Sequence, residues 1–251
     1  YDKYKGDKTH AFWYFDKEMA DATEKYYANE RGKTEQYIGF EQKGKLITFN
    51  PKSHVRMSPS FQPEADGVTF HLKAVYTDTL RNEYSKEHST HPIRMSRICG
   101  PVEVVNDTTF TVRFYRMGLD NPKRTGGICL MASVKQDHKY RSAVQQVEIR
   151  IPYRNKEGIP QRIIFPKLSD VKASVKEISL NGTADSGLPV YYYVKEGPAE
   201  IKGDKLVLTK IPPRAKFPVK VTVVAWQYGR SGEPKVQTAE AVEQSFYITA
   251  R

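Results

Sequence analysis

The sequence lacks the motifs that mark the commonest enzyme active sites. It contains no GxSxG segment, no P-loop and no dinucleotide-binding glycine run. Its six histidines show neither the HxH nor the HExxH spacing that is typical of zinc sites. We therefore assign no catalytic residue, expect no metal or cofactor, and favour a protein that is not an enzyme. The paired carboxylates of a glycosidase cannot be recognised from spacing, however, so an enzyme is not excluded.

Cysteine is almost absent, because the chain has only Cys99 and Cys129. Two cysteines are too few for a disulfide framework, and their separation by 29 residues is the wrong pattern for a zinc site. Both residues lie at the edges of predicted strands in one module. A single disulfide between them and two buried thiols are therefore both open.

Long hydrophobic runs are also missing. No segment approaches the roughly 18 apolar residues of a membrane-spanning helix, so we expect no membrane span. The chain begins at Tyr1 in a polar stretch, without an initiating methionine or a signal-peptide pattern. We expect a mature form or a part of a longer protein, with a leader or an upstream domain before Tyr1.

The charge is unbalanced but not concentrated. Forty Lys and Arg residues face 29 Asp and Glu residues, for a net charge of +11, and no run of five or six like charges occurs. There is no zinc-finger spacing, no RNP-type aromatic motif and no basic helix, so we expect no nucleic-acid partner. A solvated basic surface and an acidic polysaccharide or oligosaccharide partner are both compatible with this composition.

What the sequence does contain is the alternating pattern of β-strands, with 16 tyrosines. It predicts a mainly all-β protein of two antiparallel β-sandwich modules, over residues 1–162 and 163–251. One helix is predicted at about 16–31, with Asp16 as its N-cap and Gly32 at its end. Hairpins are predicted at residues 36–49 and 102–116. The first module is expected to resemble a sandwich or jelly roll.

The second module has short predicted strands separated by Gly and Pro turns, which is typical of a sandwich. Its phrases at residues 163–171, 183–209, 217–229 and 242–248 resemble bacterial Ig-like domains at the C-termini of secreted Bacteroidetes proteins. The resemblance implies an Ig-like fold and an extracytoplasmic setting: periplasmic, cell-surface or secreted. It also implies a spacer or docking unit attached to glycan-degrading enzymes, adhesins or surface lipoproteins.

The first 160 residues resemble uncharacterised modules that precede such domains in polysaccharide-utilisation proteins. The residues that carry this second resemblance are the runs FWYFDKEMA, at 12–20, and GPVEVVNDTTFTVRFYR, at 100–116. It brings no known active site. It implies a carbohydrate-processing context, with an upstream domain or a partner protein of the same system.

Polar residues alternate with the predicted core residues on three strands of the first module. If these strands are neighbours, one sheet face carries forked Arg donors and a Tyr ring, which suit an anionic or polyhydroxylated glycan. The alternative is the solvated side of an antiparallel sheet. The three sets are Thr69, His71, Lys73 and Val75; Thr111, Arg113 and Tyr115; and Gln146, Glu148 and Arg150.

Further candidates lie outside these strands. Trp13, in a run of four aromatic residues, can form a sugar-stacking platform or pack a strand against a helix. His54 and Arg56 lie two apart in a proline-flanked segment, which places both on one side of a binding loop or on ordinary surface.

These observations lead to one functional prediction and two alternatives. We predict a secreted or surface-exposed, non-catalytic module of a carbohydrate-processing system that binds glycan or acts as a spacer that presents it. The first alternative is the C-terminal accessory part of a glycan-degrading enzyme, a glycoside hydrolase or a lyase. The second is an adhesion or structural module.

Overall fold

A computed structural model describes residues 21–23, 25, 28, 31–47, 59–78, 83–114 and 126–250. Almost all the regular structure in these ranges is β-strand, and its pairing is antiparallel with few exceptions, so the all-β prediction is confirmed. Of the described residues within the predicted helix, 21–23, 25 and 28 are helical, whereas Arg31 is already in a turn.

The described part between residues 37 and 150 has three antiparallel sheets, with the strand orders β2-β1-β4-β5, β3-β8-β7 and β10-β9-β6. The strands are β1 (Tyr37–Gln42), β2 (Lys45–Ile47), β3 (Thr69–His71), β4 (Lys73–Asp78), β5 (Glu83–Tyr84), β6 (Arg94–Cys99), β7 (Val102–Val104), β8 (Thr109–Val112), β9 (Gly127–Val134) and β10 (Ala143–Arg150).

The hairpin of β1 and β2 turns at Lys43 and Gly44, as the sequence predicts. Both residues have positive φ, 49° and 73°, which is the backbone of a two-residue hairpin turn. Phe40 then pairs with Ile47, and both side chains lie in or against the hydrophobic core.

The single strand predicted at residues 68–76 is divided between two sheets, which corrects the sequence reading. β3 pairs with β8 and β4 pairs with β1, while the amide of Leu72 between them donates to the carbonyl of Thr108. Val75, assigned to the polar face by alternation, is buried. A period of two shows which side chains share a face, but it does not show where a chain crosses from one sheet to another.

The second module has strand orders β12-β19-β18-β15, β13-β17-β16 and β11-β14, and only β12 and β19 pair in parallel among these strands in the described residues. The strands are β11 (Ile163–Ile164), β12 (Val171–Lys172), β13 (Glu177–Ser179), β14 (Thr183–Ala184), β15 (Tyr191–Glu196), β16 (Ala199–Lys202), β17 (Lys205–Leu208), β18 (Val219–Trp226) and β19 (Val242–Thr249).

Strand β18 is buried on both faces, which explains its nearly continuous apolar sequence VKVTVVAW. Val221 and Val223 belong to the core of the second module. Val224 and Trp226, on the opposite face, belong to the core of the first module together with Phe70 and other residues of its sheets. The sheet of β18 is therefore packed between the two cores, and the two modules are fixed to each other.

The junction is also close-packed at the backbone level. A Cβ built on Gly67, whose φ is +78°, would lie 2.1 Å from the carbonyl oxygen of Gly229. The Arg230 guanidinium donates to the carbonyl of Ala65 at 2.9 Å. The domain division at residue 163 stays a prediction, but the contacts across it are those of a shared interior.

Candidate binding groove

The sequence-predicted site residues do not form one continuous face. Trp13, His54, Arg56 and Tyr115 lie outside the described residues. The condition that all three strand sets be neighbours is met only in part: Thr69 on β3 pairs with Thr111 on β8, whereas β4 and β10 belong to two other sheets. His71 and Lys73 nevertheless line one groove, whereas Arg113 lies at the module junction, and Glu148 and Arg150 lie on β10.

The groove has a volume of about 560 Å³. It lies between the β1–β2 turn, the segment at residues 62–64 and the point where β3 passes into β4. We call it the polar groove, because eight of its eleven lining residues carry polar or charged side chains. Its lining residues are Glu41, Gln42, Lys43, Gly44, Gln62, Pro63, Glu64, His71, Leu72, Lys73 and Thr108.

One wall of the polar groove is a histidine held between two oxygens. His71 Nε2 lies 2.6 Å from Glu64 Oε1, and His71 Nδ1 lies 3.3 Å from Thr109 Oγ1. Thr109 is the β8 residue that pairs with His71 across the sheet, so the strand register itself supplies this contact. The imidazole is thereby oriented while its side chain stays more than half exposed.

The other wall is formed by strands β1 and β4, where Glu41 and Lys73 are direct cross-strand partners. The Tyr84 hydroxyl donates to Glu41 Oε2 at 2.5 Å. Since β5 and β1 lie on opposite edges of β4, the Tyr84 side chain has to cross β4 to reach Glu41. Its hydrogen bond to the carboxylate raises the pKa of Tyr84, because the phenol donates to an anion.

A second tyrosine lies on the same sheet face. Tyr37 and Tyr84 both pair with Thr77, from opposite sides of β4, so the three residues form one row across the strands. Each tyrosine is 45% exposed, whereas Thr77 between them is buried. This sheet face therefore presents two exposed aromatic rings next to Glu41, which lines the polar groove.

The groove has balanced charges. Glu41 and Glu64 contribute two carboxylates, and Lys43 and Lys73 contribute two ammonium groups. The lining therefore offers both hydrogen-bond donors and acceptors to a ligand. Such a lining suits a ligand with many hydroxyl groups, each of which both donates and accepts.

Alternation found His71 and Lys73 but missed Glu41, Glu64, Tyr37 and Tyr84. The order Tyr37–Gly39–Glu41 on one face of β1 is a signal that could have found two of them. Tyr84 lies in a polar segment without periodicity, and nothing in its sequence predicts the two-residue strand β5.

Arg113 has a different role from the one predicted. Its Nε donates to Glu103 Oε2 at 3.0 Å, and its guanidinium carbon lies 5.3 Å from the centre of the Tyr191 ring. Tyr191 belongs to the second module, so Arg113 joins the two modules at the edge of a cleft of about 650 Å³. On β10, Arg150 Nε donates to Glu148 Oε1 at 3.1 Å.

The described residues contain neither a metal-binding cluster nor a membrane-spanning helix. No group of three or more His, Cys, Asp or Glu side chains in these ranges could hold a metal ion. No helix in the described part of the chain is long and apolar enough to cross a membrane.

No protein-family model matches the chain, and no curated protein matches it significantly. Among solved structures it is similar to cadherins. Human protocadherin-24 EC1-2 is 13% identical, with 77% of this chain and 94% of that chain covered and a TM-score of 0.29. Drosophila N-cadherin EC1-4 is 10% identical, with 77% of this chain and 47% of that chain covered and a TM-score of 0.27. Mouse cadherin-23 EC22-24 is 17% identical, with 86% of this chain and 65% of that chain covered and a TM-score of 0.26. TM-scores this low carry no argument about fold or function.

Proposed function

We propose that the protein is a non-catalytic, extracytoplasmic glycan-binding protein of a carbohydrate-processing system, and that the polar groove is its binding site. The observation that carries the proposal is the continuity between the groove and the exposed ring of Tyr84, through the hydrogen bond from Tyr84 to Glu41. Oligosaccharides need both features: polar groups for their hydroxyls and an aromatic face for the C–H groups of a sugar ring.

The chemistry of each wall fits this use. The carboxylates of Glu41 and Glu64 accept hydrogen bonds from sugar hydroxyls, and the Lys73 ammonium donates to their oxygens. The electron-rich ring face of Tyr84 attracts the weakly positive C–H groups of a pyranose. A site with few anchors and an open shape gives weak binding, of the kind that repeated sugar units along a polysaccharide strengthen.

The groove offers an acidic glycan no net electrostatic attraction. At neutral pH Glu41 and Glu64 repel a uronate carboxylate or a sulfate, and the neighbouring ammonium groups of Lys43 and Lys73 only balance that repulsion. The net charge of +11 is spread over the remaining surface and does not single out the groove. We therefore name a neutral oligosaccharide as the ligand class.

The second module is a rigid support in this proposal. Trp226 and Val224 of β18 are part of the core of the first module, so the groove is held at a constant angle to the second module. The resemblance of the second module to bacterial Ig-like domains supports the extracytoplasmic setting and the role of a presenting unit. An accessory part of a glycan-degrading enzyme would use the groove in the same way.

Affinity gel electrophoresis in neutral and acidic polysaccharides tests the proposal. We expect the wild-type protein to be retarded by at least one neutral polysaccharide, and Lys73→Ala and Tyr84→Ala to lose that retardation. Lys205→Ala is the matched control, because Lys205 is also an exposed lysine on a strand, where it pairs with Glu177 at 2.6 Å. Absence of retardation in every neutral polysaccharide, or equal loss in Lys205→Ala, would refute the proposal.

A further inference from the structure

The two cysteines of the chain face each other across neighbouring strands. Cys99 on β6 and Cys129 on β9 are register partners in an antiparallel pair. Cys99 is exposed, and Cys129 is half-buried. Burial raises the pKa of Cys129, and a hydrogen bond between the two thiols and the nearby Glu148 carboxylate raise it further. As register partners, the two side chains lie next to each other on one face of the sheet.

The local backbone is suited to closing this gap. Directly opposed residues of antiparallel strands have Cβ atoms about 4.5–5.5 Å apart, whereas a disulfide needs about 3.5–4.5 Å. The ladder shifts between Arg97 and Cys99, so that Ile98 has no partner on β9 and is exposed. Cys99 is the last residue of β6, so the ladder holds it on one side only, and the approach required is about 1 Å.

We propose that Cys99 and Cys129 are a redox-active pair that forms a cross-strand disulfide by exchange with a small-molecule disulfide. The chain contains no third cysteine to compete for either sulfur. This inference is independent of the groove and of its ligand.

The reaction proceeds in two exchange steps. The Cys99 thiolate attacks one sulfur of the small disulfide, forming a mixed disulfide and releasing one small thiolate. The Cys129 thiolate then attacks the Cys99 sulfur, forming the protein disulfide and releasing the second small thiolate. The two protons lost by the protein thiols end on the two small thiols. The protein is thus oxidised by two electrons, and the small disulfide is reduced by two.

The order of attack follows from exposure and acidity. Cys99 is the accessible sulfur, and the raised pKa of Cys129 leaves less of it as the thiolate that attacks. Cys129 is then the resolving residue, since the mixed disulfide at Cys99 brings an electrophilic sulfur to its strand partner. The bond would close a loop that includes β7, β8 and Phe114, whose ring packs on Trp226 at the module junction.

Incubation of the native protein with oxidised glutathione tests the pair. We expect the wild-type protein to lose two hydrogen atoms in intact mass without gaining glutathione, to lose both titratable thiols, and to recover them with dithiothreitol. Cys129→Ser should accumulate one glutathione at Cys99. Cys99→Ser should react at least about ten-fold more slowly, because the remaining thiol is half-buried and its pKa is raised.

Two outcomes would overturn the inference. One is a wild-type protein that keeps both thiols free at a glutathione concentration that modifies Cys129→Ser. The other is a wild-type protein that accumulates the mixed disulfide, or disulfide-linked dimers, without closing the internal bond. Each variant must first show the far-ultraviolet circular dichroism of the wild type, so that a failure to fold is not read as a failure to react.

Discussion

Replacing Trp226 with alanine should destabilise both modules together. Trp226 is completely buried, and its indole makes an edge contact with Phe114 of the first module, with centres 4.8 Å apart and planes at 87°. On its other side it stacks with Tyr191, at 5.0 Å and 28°. The side chain is therefore held between residues of both modules, and its removal opens a cavity at their common interior.

The magnitude follows from this burial. Truncation of a buried tryptophan to alanine costs about 3–5 kcal/mol, and each lost aromatic pair adds about 0.5–1.5 kcal/mol to simple area terms. We expect Trp226→Ala to lower the free energy of unfolding by about 4–5 kcal/mol, near the upper part of the measured range. That is about a quarter or more of the total stability of an ordinary domain.

Phenylalanine at the same position should be tolerated much better. The indole N–H of Trp226 is buried and has no hydrogen-bond partner in the part of the chain that the structure describes. An unsatisfied buried donor costs about 1–3 kcal/mol, so Trp226→Phe removes this cost while it loses part of the packing. We expect a net loss of less than about 2 kcal/mol for this variant.

Urea unfolding by circular dichroism, combined with hydrogen exchange of peptides from β1 and β17, measures both effects. We expect peptides of both modules to lose protection together in Trp226→Ala. Phe246→Ala is the comparison, because Phe246 is equally buried but belongs only to the core of the second module. Unchanged protection of β1 in Trp226→Ala, or equal costs for the alanine and phenylalanine variants, would refute the reasoning.

Two further predictions concern a backbone contact and a carboxylate. Gly67→Ala should lower the free energy of unfolding in urea by about 3–4 kcal/mol, because the new Cβ would lie 2.1 Å from a carbonyl oxygen and the positive φ would be strained. Gly203→Ala is the control, because Gly203 has a φ of +64° but open space around it. We expect it to cost only about 1–2 kcal/mol. Hydrogen bonds from Ser89 and backbone amides lower the pKa of Asp137 to about 2, so its stabilising contribution is complete above about pH 4 and is lost as the pH falls through about 2. Ser89→Ala should raise the Asp137 pKa in a carboxyl NMR titration; no change would show that this hydroxyl is not the main cause.

The sequence predicts individual strands well because their causes are local. The Lys43–Gly44 turn and the apolar run of β18 follow from turn chemistry and from side-chain periodicity. The same run does not reveal that its two faces belong to two different cores. That fact depends on which residues far away in the chain, such as Phe114, come to cover it.

The candidate site divides in the same way. His71 and Lys73 are found by alternation: Phe70, beside His71 on β3, is buried on the opposite face, and Ala74, beside Lys73 on β4, packs partly buried against the core. Glu41 and Tyr84 join them only because β1, β4 and β5 are neighbours in one sheet. The two hydrogen-bonded residues are 43 positions apart in the sequence. No period within a strand contains that information.

The most direct test of the account is an amide NMR titration of the protein with a neutral oligosaccharide selected by affinity electrophoresis. We expect concentration-dependent shifts at Glu41, His71 and Lys73 that saturate with one affinity and disappear in Lys73→Ala but not in Lys205→Ala. Shifts confined to residues outside the polar groove, or none at any concentration, would contradict the assignment of this groove as the glycan site.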